Sequence, residues 1–260
     1  MAGEPARDDA TELVDEATLL AGQLAYYRAR AGEYDRWYRR EGRYDRGPAA
    51  TSAWLAELAE VEAGLAAVPV DGLRALELAP GTGIWTERLA ERAASVTGLD
   101  ASPEMLERCR GRLGDLARRV ELRCVDLFDW EPEERWDLLF AGFWLSHVPE
   151  RRLASFVAKM ARAPVPGGRI LLVDSRPEPT STAVDHRLPP AGEERMTRRL
   201  DDGREFEIVK RFRTGPELER AFGVAGITLE AHETATYFVW ATGRLDGPGN
   251  PSARDLRVAG

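Results

Sequence analysis

The sequence predicts an α/β fold: a seven-stranded, mostly parallel sheet with helices on both faces and an antiparallel last strand. Three observations lead there. Leu76-Glu77-Leu78 is an apolar run that ends in the glycine-bearing turn Ala79-Pro80-Gly81-Thr82-Gly83, and after an amphipathic stretch a second apolar run, Val96-Thr97-Gly98-Leu99-Asp100, ends in an acid. Strand, turn, helix and strand in that order form the first βαβ unit of a nucleotide-binding sheet. Further strand-like runs follow at 120–128, 136–144 and 169–174, and two more at 227–234 and 236–243 are close enough in sequence to pair antiparallel.

The elements follow in order. Residues 1–17 are polar and acidic at their start, predict a flexible N-terminus and do not read as a secretory signal. Residues 18–40 predict one helix, with Tyr27, Tyr34 and Tyr38 on one face and Tyr26, Arg30 and Trp37 on a neighbouring one. Gly42 to Pro48 breaks it, and Thr51 or Ser52 is expected to cap the next helix, which runs to about Leu65. In the glycine turn, Gly81 and Gly83 let backbone approach a ligand closely. Asp100, at the end of the second strand, is placed to accept both hydroxyls of a ribose. A dinucleotide fingerprint would have a third glycine where Thr86 stands, so the pyrophosphate-binding version is incomplete.

Further on, Pro166-Gly167-Gly168 reads as a turn into the fifth strand, and residues 175–190 form a polar, Pro-rich connection long enough to suggest an active-site element. Asp201-Asp202-Gly203 joins 196–200 to 204–210 as a hairpin inserted at 195–213. Strand alternation puts Arg199 beside Phe206 and Ile208, whereas a slip of one residue would bring Arg198 to that face. A helix over 216–225 precedes the last two strands, and the Gly- and Pro-rich tail 246–260 is expected to be flexible.

The glycine turn resembles motif I of class I S-adenosylmethionine-dependent methyltransferases, with Glu77 opening the loop and Ala79 standing where that family has its first glycine. Three further pieces occur in the family's order: Val125-Asp126-Leu127-Phe128, then Trp136 to Trp144, then the turn and strand that end at Asp174. The resemblance implies a Rossmann-like domain over 67–245, preceded by an N-terminal helical lid over 18–66. The implied cofactor is S-adenosylmethionine, with S-adenosylhomocysteine as product, and the set that would hold it is Glu77, Ala79, Pro80, Gly81, Gly83, Asp100, Ala101, Met105, Asp126, Leu127, Phe140 and Gly142. Tyr26 and Arg30 of the lid would reach the cofactor's carboxylate, Asp126 its adenine amino group, and the end of the fourth strand would face the methyl group.

Methyl transfer from a sulfonium is an in-line displacement that depends on alignment and exclusion of water. A neutral hydroxyl acceptor needs a base, and His147, just past the fourth strand, is the candidate. An acceptor that is already anionic needs cations instead, and Arg198, Arg199 and Lys210 of the hairpin region are the candidates. Tyr27 and Phe143 complete the expected substrate pocket with His147. The histidine, the arginine pair and the lysine resemble those of small phosphonate O-methyltransferases. O-methylation of a small polar or anionic molecule is therefore expected. The alternatives are a small-molecule N-methyltransferase, an NAD-dependent dehydrogenase, or a non-catalytic protein that binds the cofactor.

Composition constrains the rest. With 43% hydrophobic residues the 260-residue chain can bury one core, and it has no apolar run near the length of a membrane span. A formal charge of -8 opposes a nucleic-acid partner. Two cysteines and three scattered histidines show no metal-ligand spacing, so no metal is expected and a reducing, cytoplasmic setting suits the chain. The sequence leaves the oligomeric state open.

Overall fold

The computed structural model describes residues 9–247 of the chain. The elements in chain order are α1 (Asp9–Arg30), α2 (Tyr34–Arg39), α3 (Pro48–Ala66), β1 (Arg74–Leu78), α4 (Ile84–Arg92), β2 (Ser95–Asp100), α5 (Pro103–Leu113), β3 (Val120–Cys124), β4 (Trp136–Gly142), α6 (Glu150–Ala161), β5 (Pro164–Ser175), β6 (Arg195–Arg199), β7 (Glu205–Val209), α7 (Gly215–Val224), β8 (Ile227–Glu233) and β9 (Phe238–Leu245). Seven strands form one sheet in the order β3-β2-β1-β4-β5-β9-β8, with β9 antiparallel to both its neighbours, and β6 and β7 make a separate hairpin.

Alternation along the central strands sorts their side chains to two faces, both covered, as a parallel sheet requires. Leu76, Leu78, Leu139, Ala141, Ile170 and Leu172 pack with Leu153, Phe156, Leu218 and Phe222 of α6 and α7. Ala75, Leu138, Phe140, Leu171 and Val173 face the other way, onto Trp54, Leu58, Val61 and Leu65 of α3 and Leu89 of α4. The order reverses at β1 and β4, so the loops after these strands diverge and open a crevice at their C-terminal ends.

Local chemistry explains the helix starts. Ser102 caps α5 by accepting from Met105 N at 3.1 Å, with Pro103 in the first turn. Thr214 and Glu217 form a reciprocal capping box on α7. Gly83 precedes α4 at φ 87, and a Cβ built there would stand 2.7 Å from Cys109 Sγ, so this turn closes tightly on α5.

Several boundaries differ from expectation. The helix expected over 18–40 is two, because the chain turns at residues 31–33 around Gly32 and α2 then runs as a separate short helix. The start of α1 at Asp9 falls inside the segment expected to be flexible, while residues 1–8 and nearly all of the tail 246–260 lie outside the described residues. The helix after it starts at Pro48 with Gly47 as its cap, not at Thr51 or Ser52, because Pro at the first helical position needs no hydrogen-bond acceptor. That helix, α3, is no part of a cover, since its Trp54 face is buried on the sheet. Pro166-Gly167-Gly168 lies within β5, where the pairing with β4 is irregular.

The hairpin packs on α1 and not on the sheet. Met196, Leu200 and Ile208 bury Tyr26 completely, and Gln23 ties the two together by accepting from Val209 N at 3.1 Å. Charged pairs hold α1 elsewhere: Arg28 with Glu104 of α5 at 2.9 Å, and Glu16 with Arg151 and Arg152 of α6.

Candidate active site

Two adjoining cavities lie at the crevice. The larger, about 330 Å³, is lined by Ala79 and Gly81 after β1, Asp100, Ala101 and Met105 after β2, Asp126, Leu127 and Phe128 after β3, and Gly142 and Phe143 after β4, with Ala17, Leu20, Ala21 and Leu24 of α1 across its mouth. The smaller, about 30 Å³, is lined by Arg30, Arg198, Lys210, Ser175, Ser181 and Thr182 among others. Tyr27, Tyr34, Phe143 and His147 line both.

The large cavity has the features of a nucleoside site. Gly81 adopts φ 57 with nothing within 4 Å of a built Cβ, so its backbone stands open to the cavity. Ala79, where a glycine would be at ease, also lies at φ 55, a conformation that costs an L-residue roughly 1 kcal/mol or more. Phe143 carries the same kind of strain at φ 55, which turns its ring into the wall between the cavities. Asp100 accepts from Gly81 N at 3.0 Å and from Ser102 N at 2.8 Å, and these bonds hold its carboxylate at the cavity. Burial pushes its pKa up to about 6, against the pull of those two amides. Asp126 accepts from Phe128 N at 2.8 Å, so it shapes its own turn while lining the cavity.

Of the residues expected at this site, Glu77, Pro80, Gly83, Phe140 and Tyr26 are not in the lining. Glu77 is buried just beneath the turn, where burial raises its pKa to about 8 and its Oε2 has no partner among the described residues. Pro80 packs over Gly98, Gly83 closes on Cys109, and Phe140 belongs to the core beside Trp85. Tyr26 points into the hairpin core because the neighbouring helix face, carrying Tyr27, is the one turned to the cavities.

The small cavity is cationic. Lys210 is 5% exposed and its Nζ donates to Ser146 Oγ at 2.7 Å, with Asp174 Oδ1 at 3.7 Å. Burial pulls its pKa down to about 8, against the pull of Asp174. Asp174 is itself held by Ser146 N at 2.8 Å and Ser175 N at 2.7 Å. Arg198 is buried and donates to Thr182 Oγ1, with His186 Nδ1 at 2.9 Å. Arg199 points away to solvent: the register sets Arg198 opposite Phe206 and Met196 opposite Ile208, so the apolar residues of β6 share the inward side with Arg198. Arg30 lines this cavity and not the larger one, contrary to its expected place at the cofactor.

His147 has both ring nitrogens engaged. Nδ1 is 2.7 Å from the Val209 carbonyl, which can only accept, so the proton sits on Nδ1 and Nε2 accepts from the Tyr27 hydroxyl at 2.7 Å. Burial, then the Lys210 charge, hold its pKa well below the usual imidazole value, so the ring is neutral. It stands where a base would stand, but its basic nitrogen is already occupied by a phenol.

Comparison with known proteins agrees with this geometry. Residues 75–168 match the family described as a methyltransferase domain. DhpI in complex with SAH is 36% identical, with a TM-score of 0.70 over 89% of this chain and 98% of that one. The chain belongs to the class I S-adenosylmethionine-dependent methyltransferases. DhpI in complex with SAM and HEP is 37% identical over 87% of this chain and 98% of that one, with a TM-score of 0.70. The trans-aconitate 2-methyltransferase of Methylobacterium radiotolerans is 36% identical over 129 residues, 48% of this chain and 45% of the relative. The chain matches about half the length of its curated relatives. S-adenosylmethionine is the cofactor of this methyltransferase family, and the open backbone after β1 with the acceptor carboxylates after β2 and β3 fits a nucleoside with a charged amino-acid tail. No cluster of three or more metal-ligating side chains occurs among the described residues.

The cavities also involve residues that the sequence did not single out: Gln23, Ser175 and Thr182 in their linings, and Ser146, Asp174 and His186, which contact Lys210 and Arg198. Asp174 closes a strand at the ligand-binding edge of the sheet, and Thr182 and His186 lie in the long 175–190 connection, which are the signals that could have marked them.

Proposed function

We propose that the protein transfers a methyl group from S-adenosylmethionine to an oxygen of a small anionic acceptor. One observation carries this reading: the cofactor-sized cavity shares Tyr27, Tyr34, Phe143 and His147 with a second cavity whose lining includes three cationic side chains and no carboxylate. A volume of about 30 Å³ is roughly two waters' worth, so it suits an oxyanion headgroup and little more. Support comes from DhpI, described with both SAM and HEP, and from a trans-aconitate methyltransferase, whose name specifies a carboxylate acceptor.

The cofactor supplies an electrophilic sulfonium methyl, and the protein supplies alignment. Asp100 and Asp126 would hold the nucleoside, and the Ala79 to Gly81 backbone the amino-acid portion. Arg198 and Lys210 bind the acceptor's oxygens; an acceptor so held is ionised and needs no base. The Tyr27 ring, fixed by His147, walls the nucleophile in place, and the apolar residues of α1 exclude water. An ammonium acceptor would be repelled by the same cations, which disfavours N-methylation. We place this activity in the cytoplasm, a setting that suits the free Cys109 and Cys124.

The test is methyl transfer from isotopically labelled cofactor to a panel of phosphonates, phosphate monoesters, carboxylates, alcohols and amines. Esters of the anionic members are expected. Transfer confined to amines or neutral alcohols would sink the proposal.

A further inference from the structure

Arg30 differs from the other two cations of the small cavity in where it comes from and in what neutralises it. Arg198 and Lys210 belong to the hairpin and the loop just after it, whereas Arg30 ends α1, the helix that spans the mouth of the cofactor cavity. Lys210 has Asp174 at 3.7 Å, but among the described residues neither Arg30 nor Arg198 has a carboxylate within salt-bridge distance. Three cations line the cavity, Asp174 stands beside one of them, and Glu33 acts on Arg30 only from beyond ion-pair distance, so positive charge is in excess there.

Arg30 is 5% exposed. Its guanidinium lies over the rings of Tyr34 at 4.8 Å, Tyr26 at 5.5 Å and Tyr44 at 5.6 Å, donates to Tyr44 Oη at 3.1 Å, and leaves Nε without a partner among the described residues. Aromatic faces attract a cation but offset only part of what it loses on leaving water. With α1 docked, the Arg30 charge is only partly compensated, by Glu33 from beyond ion-pair distance, and an anion in the small cavity would complete the compensation.

The geometry points to Arg30 as the residue that selects the charge state of the acceptor, making a dianionic oxyanion strongly preferred over a monoanion of the same shape. Because Arg30 is carried on α1, seating of the dianion and docking of α1 are coupled, and each favours the other. This rests on the small cavity being the acceptor site, and it removes Arg30 from the cofactor's carboxylate.

The test uses the full chain with S-adenosylhomocysteine bound, at pH 7.5, and titrates methyl phosphate against methyl sulfate by calorimetry. The two probes share a shape and differ by one charge. The expected preference of the unaltered protein for methyl phosphate is at least 30-fold. Arg30→Met should cut it below fivefold through lost dianion affinity, with methyl sulfate and S-adenosylhomocysteine binding each within threefold of the original. Arg30→Lys should keep at least tenfold. Hydrogen exchange of the α1 amides should slow on adding methyl phosphate in the unaltered protein and in Arg30→Lys, but not in Arg30→Met. A preference unchanged in Arg30→Met would overturn the proposal, as would an equal loss in Arg30→Lys, which would mean packing and not charge. Tenfold weaker S-adenosylhomocysteine binding in Arg30→Met would return Arg30 to the cofactor. If the unaltered protein binds neither probe, the acceptor-site reading itself falls, and this proposal with it.

Discussion

The two cavities share a wall but are built in opposite ways. The large cavity is lined mainly by the loops that follow β1, β2, β3 and β4, consecutive strand ends within one stretch of chain. The small cavity draws Arg30 from α1, Ser175 from the end of β5, Thr182 from the long connection, Arg198 from β6 and Lys210 from just beyond β7. A site made of strand ends inherits its geometry from the sheet. A site made of insertions depends on how those insertions pack, here on the burial of Tyr26 between α1 and the hairpin.

Substitutions should therefore separate the two cavities cleanly. The largest effect is expected at the acceptor side: Arg198→Met or Lys210→Met should raise KM for an anionic acceptor about 100-fold, on the order of 2.7 kcal/mol for charge-assisted contacts, with cofactor affinity unchanged. Parallel loss of cofactor binding in calorimetry would show that the cavities are not independent. On the other side, Gly83→Ala should destabilise the fold by about 2 kcal/mol in urea unfolding, because its Cβ would meet both the side chain and the backbone of Cys109 at a positive φ. Unaltered unfolding would mean the turn is softer than the geometry implies.

Asp100→Ala should weaken cofactor binding at least tenfold, about 1.4 kcal/mol, and leave anion binding at the acceptor cavity alone. An unchanged dissociation constant would remove Asp100 from the site. The pH dependences should also diverge. Ribose hydroxyls donate to an ionised Asp100, so with a pKa of about 6 cofactor affinity should fall as the pH drops below 6. Lys210 is charged below about 8, so anion affinity should fall as the pH rises above 8. With cofactor saturating, so that Asp100 no longer limits the rate, neutral His147 should add no limb near the ordinary histidine value, and such a limb in kcat would restore it as a base. The smallest effect belongs to Arg199→Ala, whose exposed side chain should leave KM within about twofold.

Legibility in the sequence followed the same division. That the glycine turn, Asp100 and Asp126 lie at the strand ends around the large cavity could be read directly, because close backbone approach and a strand-end carboxylate each require particular residue types at a fixed place in a βαβ unit. The seven-stranded sheet and its antiparallel last strand were legible for a related reason, since alternation and spacing reflect burial on two faces. Near misses came where a helix or strand phase had to be chosen. Tyr26 and Tyr27 are adjacent and equally aromatic, yet only Tyr27 reaches the cavities; Arg198 and Arg199 are adjacent and equally charged, yet only Arg198 turns inward. Each choice depends on which face another element covers, which sequence alone does not record.

The sequence by itself determined the order of elements, the crevice at the strand ends and a supply of arginines and one lysine near an inserted hairpin. Only the tertiary structure decided that Arg30 and Arg198 join Lys210 around one small space, that His147 spends its basic nitrogen on Tyr27, and that Arg199 stays in solvent. The physical reason is range: turn chemistry and strand burial are fixed by neighbours in the chain, whereas the charge of a cavity is the sum over residues that packing brings together from distant segments.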